Sequence, residues 1–393
     1  MPRPLAHVTV VSIEQAVAAP FATRQLADLG ARVIKIERPG TGDFARGYDR
    51  TVNGLSSYFV WLNRSKESVT LDLARPETRD VLARLLRRAD VFVQNLAPGA
   101  AERLGLDAGT LRACAPRLIA CSISGYGSTG PYKDRKAYDL LVQGETGLMS
   151  ITGAPDAPAR VGISVADIAA GMYAYSGILA ALLRRERTGE GAHVEVSLFD
   201  ALGEWMSQPA YVAEHAGRAP ARHGARHATI APYGPFASAD GTPVLIGIQN
   251  EREWTRFCAD VLGMPALAHD PRFASNPDRV AHRAELESIV GDALRPFTAA
   301  AIVDRLEAAG IASARLNDVA AFVAHPQLAD RDRWRRVDTP AGPVRALRPP
   351  VTLDESEPRM DPVPALGEHT DRVLTEVGVG AGTIARWRAE GIV

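Results

Sequence analysis

The residue with the clearest chemical potential is Asp167. It stands between a segment of strand-like alternation, Val161–Val165, and a long apolar stretch, Ala169–Arg187, that reads as a helix. An acid at that junction sits at a helix N-terminus, where the dipole and unpaired N–H groups favour a carboxylate. Such a group either caps the helix or, partly desolvated on a rigid element, serves as a nucleophile. A second feature is Gly125–Tyr126–Gly127–Ser128–Thr129–Gly130, which spells GxGxxG after a predicted strand. A dinucleotide fingerprint needs its last glycine to open a helix. Here Pro131, Tyr132, Lys133 and Asp134 follow, which is turn chemistry. The glycines therefore read as a loop that brings backbone close to a neighbour.

Arg38, Arg46, Arg50 and Arg64, with Lys66, make the first third basic around Gly40–Thr41–Gly42–Asp43, and Arg103 and Lys136 add to them. Arginines scattered in this way are ordinarily solvated surface, although a phosphate-bearing cofactor would gather several together. His215, His223, His227 and His282 show no ligand spacing, so no metal is expected. No GxSxG or Cys–His signature points to a hydrolase.

The elements that must position these residues alternate. His7–Ile13, Ala31–Glu37, Ser68–Leu73, Asp90–Gln94, Leu118–Ser124 and His193–Leu198 read as strands. Helical patterns intervene: Pro20 at a helix start with Phe21, Leu26 and Leu29 on its apolar face, then Pro76–Arg88 and Ala101–Leu104. Strand–helix–strand repetition predicts an α/β fold, a parallel sheet with helices on both faces. Past a stretch rich in Ala, Gly, Arg, His and Pro, from Ala213 to His227, a smaller α+β unit is expected. It has a strand at Pro243–Ile248 and helices at Glu251–Leu262, Arg283–Leu294 and Ala299–Ala309. The chain then turns Pro-rich and extended before a final helix near Glu368–Leu374.

Composition bounds the class. The 393 residues carry 45 Lys plus Arg against 46 Asp plus Glu, a net charge of −1. No global field recruits nucleic acid or an anionic membrane. Cys114, Cys121 and Cys258 form no CxxC pair, which leaves no disulfide framework or zinc site to expect. The uncharged run Ile168–Leu183 is shorter than the ~20 residues of a membrane span. With no signal-peptide pattern at the N-terminus, a cytoplasmic location is expected.

Several segments together resemble the family III CoA-transferases, the group of formyl-CoA transferase and alpha-methylacyl-CoA racemase. They are Ala18–Phe21, Asp28–Glu37, Asn63–Arg64–Ser65–Lys66, Asn95 with Pro98–Gly99, Gly125–Pro131, Asp167–Gly171, Arg187–Gly189 and Leu366–Thr370. They run in order along nearly the whole chain. The resemblance implies a large Rossmann-like domain built from residues 1–212 and 326–393, a small domain at 213–325, and an interlocked homodimer. It implies coenzyme A, bound as acyl-CoA near Arg38, Arg103, Leu104 and Lys136. It also implies that Asp167 is the catalytic carboxylate, forming an aspartyl-CoA thioester.

The family holds two chemistries. The racemases resembling this chain place a His–Asp pair where Tyr138–Asp139 stands here, and a Glu where Asn250 aligns. Tyrosine, with a pKa near 10, is a poor proton shuttle at neutrality. Transfer is therefore expected rather than epimerisation at the alpha carbon. Two departures argue against an oxalate-specific formyl-CoA enzyme. The loop His223–Thr229 is not glycine-rich, and Val17 replaces a glutamine. That loop, with Pro232–Tyr233 and Ala137–Asp139, is more similar to succinyl-CoA-dependent dicarboxylate transferases. Arg226 could hold a second carboxylate bidentately and His227 could add a hydrogen bond, or Arg226 could simply face solvent.

Overall fold

A computed structural model describes residues 3–393. The chain forms two compact units. The first comprises the chain up to Gly147 together with Val161–Gln208 and Ala329–Val393; the second comprises Leu148–Arg160 and Pro209–Leu328.

Six parallel strands form the first unit's sheet: β1 Thr9–Ile13, β2 Arg32–Glu37, β3 Lys66–Thr70, β4 Val91–Gln94, β5 Ile119–Ser124 and β6 Ala192–Ser197. Their order is β3-β2-β1-β4-β5-β6. Val10 of β1 stands opposite Val33 on one side and Val91 on the other. The order reverses between β1 and β4, and the carboxyl ends of those two strands define the crevice where doubly wound sheets bind ligands. Continuous apolar burial explains the parallel pairing, because helices cover both faces: Val10, Val33, Val91 and Ile119 are fully buried.

Helix α1 spans Ala18–Asp28 and α2 spans Pro76–Leu86, with Pro76 in its first turn. Shorter α3, Asp139–Glu145, precedes the long α4, Val165–Thr188, and α5, Leu198–Trp205. Gly171 lets α4 lie against α1: a Cβ there would stand 2.7 Å from the Ala18 carbonyl oxygen. By length and composition α4 could cross a membrane. Its inner positions Ala169, Ala170, Ala174 and Ile178 are instead fully buried within the unit.

Two local expectations change. Val161–Val165 forms no strand, and α4 already begins at Val165. Alternating Val161, Ile163 and Val165 mimic a strand, but Gly162 and Ile163 sit in a bend and Ser164 is the N-cap of the helix. Residues 148–160 were expected in the large domain; they pack in the second unit, which resumes at Pro209. There Gly153–Ala154 pairs with Ala157–Pro158, and Arg222 donates to the carbonyls of Ser150, Ala154 and Pro155.

Besides that short pair, the second unit holds a sheet of three antiparallel strands: β7 Tyr233–Phe236, β8 Val244–Gly247 and β9 Ala312–Arg315, in the order β9-β8-β7. Its core gathers Phe236, Ile246, Trp254, Phe257, Phe273, Leu286 and Ile302.

Candidate active site

Asp167 lies in the first turn of α4, three residues past the N-cap, Ser164. The Ser164 side chain makes no capping hydrogen bond. A carboxylate 27 residues before Ala166 does so instead: Asp139 Oδ1 accepts the Ala166 N–H at 2.8 Å. Gln143, fully buried on α3, donates from Nε2 to Asp139 Oδ2 at 2.7 Å and accepts the Val161 N–H at 2.9 Å. Both Asp139 oxygens are thus engaged. The Asp167 carboxylate is partly buried and has no hydrogen bond or ion pair with any described residue. Burial first, and the neighbouring Asp139 charge second, push its pKa up to about 7. Removing a carboxylate from water without returning hydrogen bonds disfavours its ionised form. An acid so perturbed, on a rigid helix, is a functional-site signature. Asp167 is therefore not the helix cap.

Around it lies an exposed aromatic rim. Tyr48 packs edge-on against Tyr58 and beside Phe44. Burial, then the carboxylates of Asp43 and Asp167, push the Tyr48 hydroxyl up to about 12, so it remains a neutral donor. Tyr138, at the head of α3, is 63% exposed.

The β1–α1 turn shapes the crevice between β1 and β4. Ala16 adopts a left-handed φ of 61°, which costs a non-glycine residue stability. Its N–H is held by Asp43 Oδ1 at 3.0 Å, and the flanking Gln15 backbone is held on both sides by the Asn95 amide. Asp43 in turn receives the fully buried Lys35 Nζ at 2.5 Å. Lys66 donates to Glu14 at 2.7 Å and to the Pro20 carbonyl at 3.0 Å. Glu37 takes two hydrogen bonds from Arg46 and one from Ser68. Burial opposes ionisation of Glu37, but Arg46, Lys35 and Ser68 together outweigh it and hold the pKa at about 2.

The expected basic cluster therefore divides. Arg46, Arg64 and Lys66 are neither solvated nor open to phosphate, because each is committed to a buried acid; Arg64 grips Asp28 with two hydrogen bonds. Arg38, Arg103 and Lys136 are exposed, and Leu104 is half-buried. Arg38 follows β2, Arg103 ends the short helix Ala100–Arg103 after β4, and Lys136 lies between β5 and α3. All four leave from the carboxyl-terminal side of the sheet. In the glycine loop, Gly125 abuts Ala137, where a Cβ would meet the Ala137 Cβ at 2.3 Å. The Ser128 N–H binds Glu195, and no helix opens there.

In the second unit, Arg226 Nε binds Glu287 at 2.6 Å, so only part of the guanidinium faces outward. His227 stacks on Tyr233 at 5.1 Å, and its Nδ1 accepts the Thr229 N–H, which leaves the proton of the neutral ring on Nε2. Arg283 donates to the carbonyls of His227, Ala228 and Ile230, and Asn276 donates to that of Thr229. These bonds fasten the loop to α-helical residues of the same unit. Asn250 caps the helix Glu251–Arg256 through its side-chain oxygen. Asp139 with Gln143, which cap its helix, and Tyr48 are the surroundings of Asp167 that sequence reasoning missed. The one available signal was the adjacency Tyr138–Asp139.

A doubly wound sheet with an unpartnered carboxylate at a helix head suits covalent acyl chemistry. Residues 5–370 match the sequence model of CoA-transferase family III, and the chain belongs to that family. It is thus a CoA-transferase, an enzyme whose substrates are CoA thioesters. It is 36% identical over 386 residues to the succinate–glutarate CoA-transferase of Agrobacterium fabrum, covering 95% of this chain and 96% of that one. It is 40% identical over 347 residues to the acetyl-CoA:oxalate CoA-transferase of Acetobacter aceti, covering 87% and 89%. A solved CaiB/BaiF family protein from Brucella suis superimposes with a TM-score of 0.83 at 34% identity, covering 96% and 100%.

Proposed function

We propose that this enzyme moves CoA from a short acyl-CoA, succinyl-CoA foremost, to a small dicarboxylic acid through an aspartyl-CoA thioester on Asp167. The observation that carries the reading is the Asp167 carboxylate itself: partly buried, at a helix head, with its oxygens unclaimed. Both named relatives have a dicarboxylate in their names, glutarate in one and oxalate in the other.

The chemistry runs in four balanced steps. An Asp167 oxygen attacks the donor thioester carbonyl; the C–S bond breaks, and its electron pair leaves on CoA thiolate. The thiolate attacks the aspartyl carbonyl of the resulting mixed anhydride and expels the donor acid as its carboxylate. The acceptor carboxylate attacks the aspartyl-CoA thioester, giving a new anhydride and thiolate. The thiolate then attacks the acceptor's acyl carbon and frees Asp167. Water must be kept out throughout, because hydrolysis would discard the thioester's energy.

Arg38, Arg103, Leu104 and Lys136 are assigned to CoA. Arg226 and His227 are assigned to the second carboxylate, through the free edge of the guanidinium and the Nε2 proton. Tyr138, beside Asp139 in the first unit, is assigned to substrate, and Asn250 is the weakest assignment, since its side chain already caps a helix. The enzyme works as an interlocked homodimer in the cytoplasm.

The test is mass spectrometry of the intact protein and its peptides after incubation with succinyl-CoA and no acceptor. A CoA-sized adduct on the Asp167 peptide, discharged by adding a dicarboxylic acid, is the expected result. Comparing oxalate with succinate and glutarate as discharging acids fixes the chain length. Absence of any adduct, with exchange of the alpha proton in deuterated water, would replace this reading with the racemase one.

A further inference from the structure

Asp139 has no part in the four steps above, yet it is the group most closely bound to the helix that carries the nucleophile. An acid three residues past an N-cap ordinarily turns back and spends its oxygens on the helix's free N–H groups. In α4 that does not happen. Asp139, reaching from α3, occupies the Ala166 N–H, and Gln143 fixes the orientation of its other oxygen. Gln143 is itself fixed by the Val161 N–H, and it is fully buried. The cap of α4 is thus a side chain delivered from another element and locked at both ends.

We propose that Asp139 is the positioning residue of the nucleophile: by capping α4 in its place, it keeps both Asp167 oxygens free of hydrogen bonds and sets a second negative charge beside them. The inference rests on Asp167 acting as the nucleophile. Two consequences follow for the reaction. A carboxylate that accepts no hydrogen bonds loses none when it attacks. And acylation removes the charge from Asp167, since the departing electron pair ends on sulfur, so the repulsion between the two carboxylates is relieved as the anhydride forms. The Asp139 cap therefore raises the free carboxylate in energy relative to its acylated form, which is ground-state preparation of a nucleophile.

Few other groups compete for this role. The elements packed on α4 include α1, α3, α5, β5 and β6, and on β6 Glu195 is bound by the Ser128 N–H and His193 lies against Ser122 of β5. At this end α1 offers Ala18, Ala19, Pro20 and Phe21, with its charges Arg24 and Asp28 farther along and paired to one another. On α5, Asp200 is bound to Ser197; Glu204 stands near the far end of that helix. Glu145 closes α3 at the end away from Asp139. Tyr48 approaches Asp167 from the turn after β2 and is neutral. Among the described residues, Asp139 is the charge that, after burial, pushes the Asp167 carboxyl up.

The test is Asp139→Asn, which keeps an oxygen for the Ala166 N–H and removes the charge. The readout is the pH dependence of CoA-adduct formation on the Asp167 peptide. In the parent enzyme the acid limb should fall near pH 7. In the variant it should move acidward by up to about 1.5 units, since burial remains the larger cause. At pH 8.5, where both proteins are ionised, adduct formation should slow several-fold. An unchanged limb together with an unchanged rate overturns the inference while leaving Asp167 as nucleophile. Absence of adduct in the parent enzyme sinks the reading beneath it. Should the variant fail to fold, carbodiimide labelling of the unaltered enzyme decides. Labelling of the Asp167 peptide should persist up to about pH 7, while the Asp139 peptide stays protected; equal labelling of both refutes the proposal.

Discussion

Replacing Asp167 by asparagine should make the protein more stable as well as inactive, and the gain should depend on pH in one direction. Folding raises this carboxyl from 3.8 to about 7, so the native state binds its proton more tightly than the unfolded chain does. The stability this group contributes is fully present below pH ~4, where both states are protonated, and is lost as pH rises through about 7. A displacement of about 3 units at ~1.4 kcal/mol per unit sets an upper bound of about 4 kcal/mol. The side chain is partly exposed, so solvent screens part of this, and about 2 kcal/mol is the expected gain. Asparagine mimics the protonated acid and does not titrate. Thermal unfolding of parent and Asp167→Asn should therefore coincide near pH 4 and diverge up to pH 8, with the variant several degrees higher. A difference that is constant from pH 4 to 8.5, or a variant that melts lower at pH 8, would refute the reasoning from which the nucleophile was assigned.

Other perturbations test the scaffold. Asp167→Ala should lower transfer by at least ~10³-fold, as loss of a covalent nucleophile does, while circular dichroism stays unchanged. Lys35→Met strands Asp43 beside Glu14 in a buried site and should cost about 3–5 kcal/mol, read as a lower denaturant midpoint. Gly125→Ala forces a methyl group against Ala137; about 1–3 kcal/mol of stability should be lost, with a weaker KM for acyl-CoA. Arg283→Met removes the donor to three carbonyls; limited proteolysis within 223–230 should then accelerate, where the parent resists.

The sheet was legible because its strands are β-branched runs separated by helical periods, and β1 to β6 fall within two or three residues of expectation. Asp167 stood out as an acid ahead of a long apolar run, but its residue context alone left it either a helix cap or a nucleophile, because acids are common in a helix's first turn. What escaped depends on contacts distant in sequence. Val161–Val165 alternates like a strand, and only the Asp139 cap from α3 shows where the helix begins. Arg46, Arg64 and Lys66 look like surface charges until Glu37, Asp28 and Glu14 are brought against them. The helix Ala381–Ala389 was missed because its apolar positions, Ile384 and Trp387, are too few to mark a face. Residues 148–160 were assigned by sequence proximity, whereas Arg222 decides their unit.

The covering of the sheet's edge by His369 and Thr370 has a consequence for synthesis. β3 is an edge strand, and its partners arrive late: Thr370 Oγ1 accepts the Thr70 N–H across 300 positions, and the Ser68 carbonyl takes the His369 N–H. At ~5–20 residues per second, a ribosome needs about 15–60 s to deliver them. For that interval the nascent sheet offers an open border to any neighbouring strand. A product truncated before residue 369 should therefore aggregate rather than form a smaller soluble enzyme, and cellular folding should lean on chaperones that shield that border until His369 and Thr370 emerge.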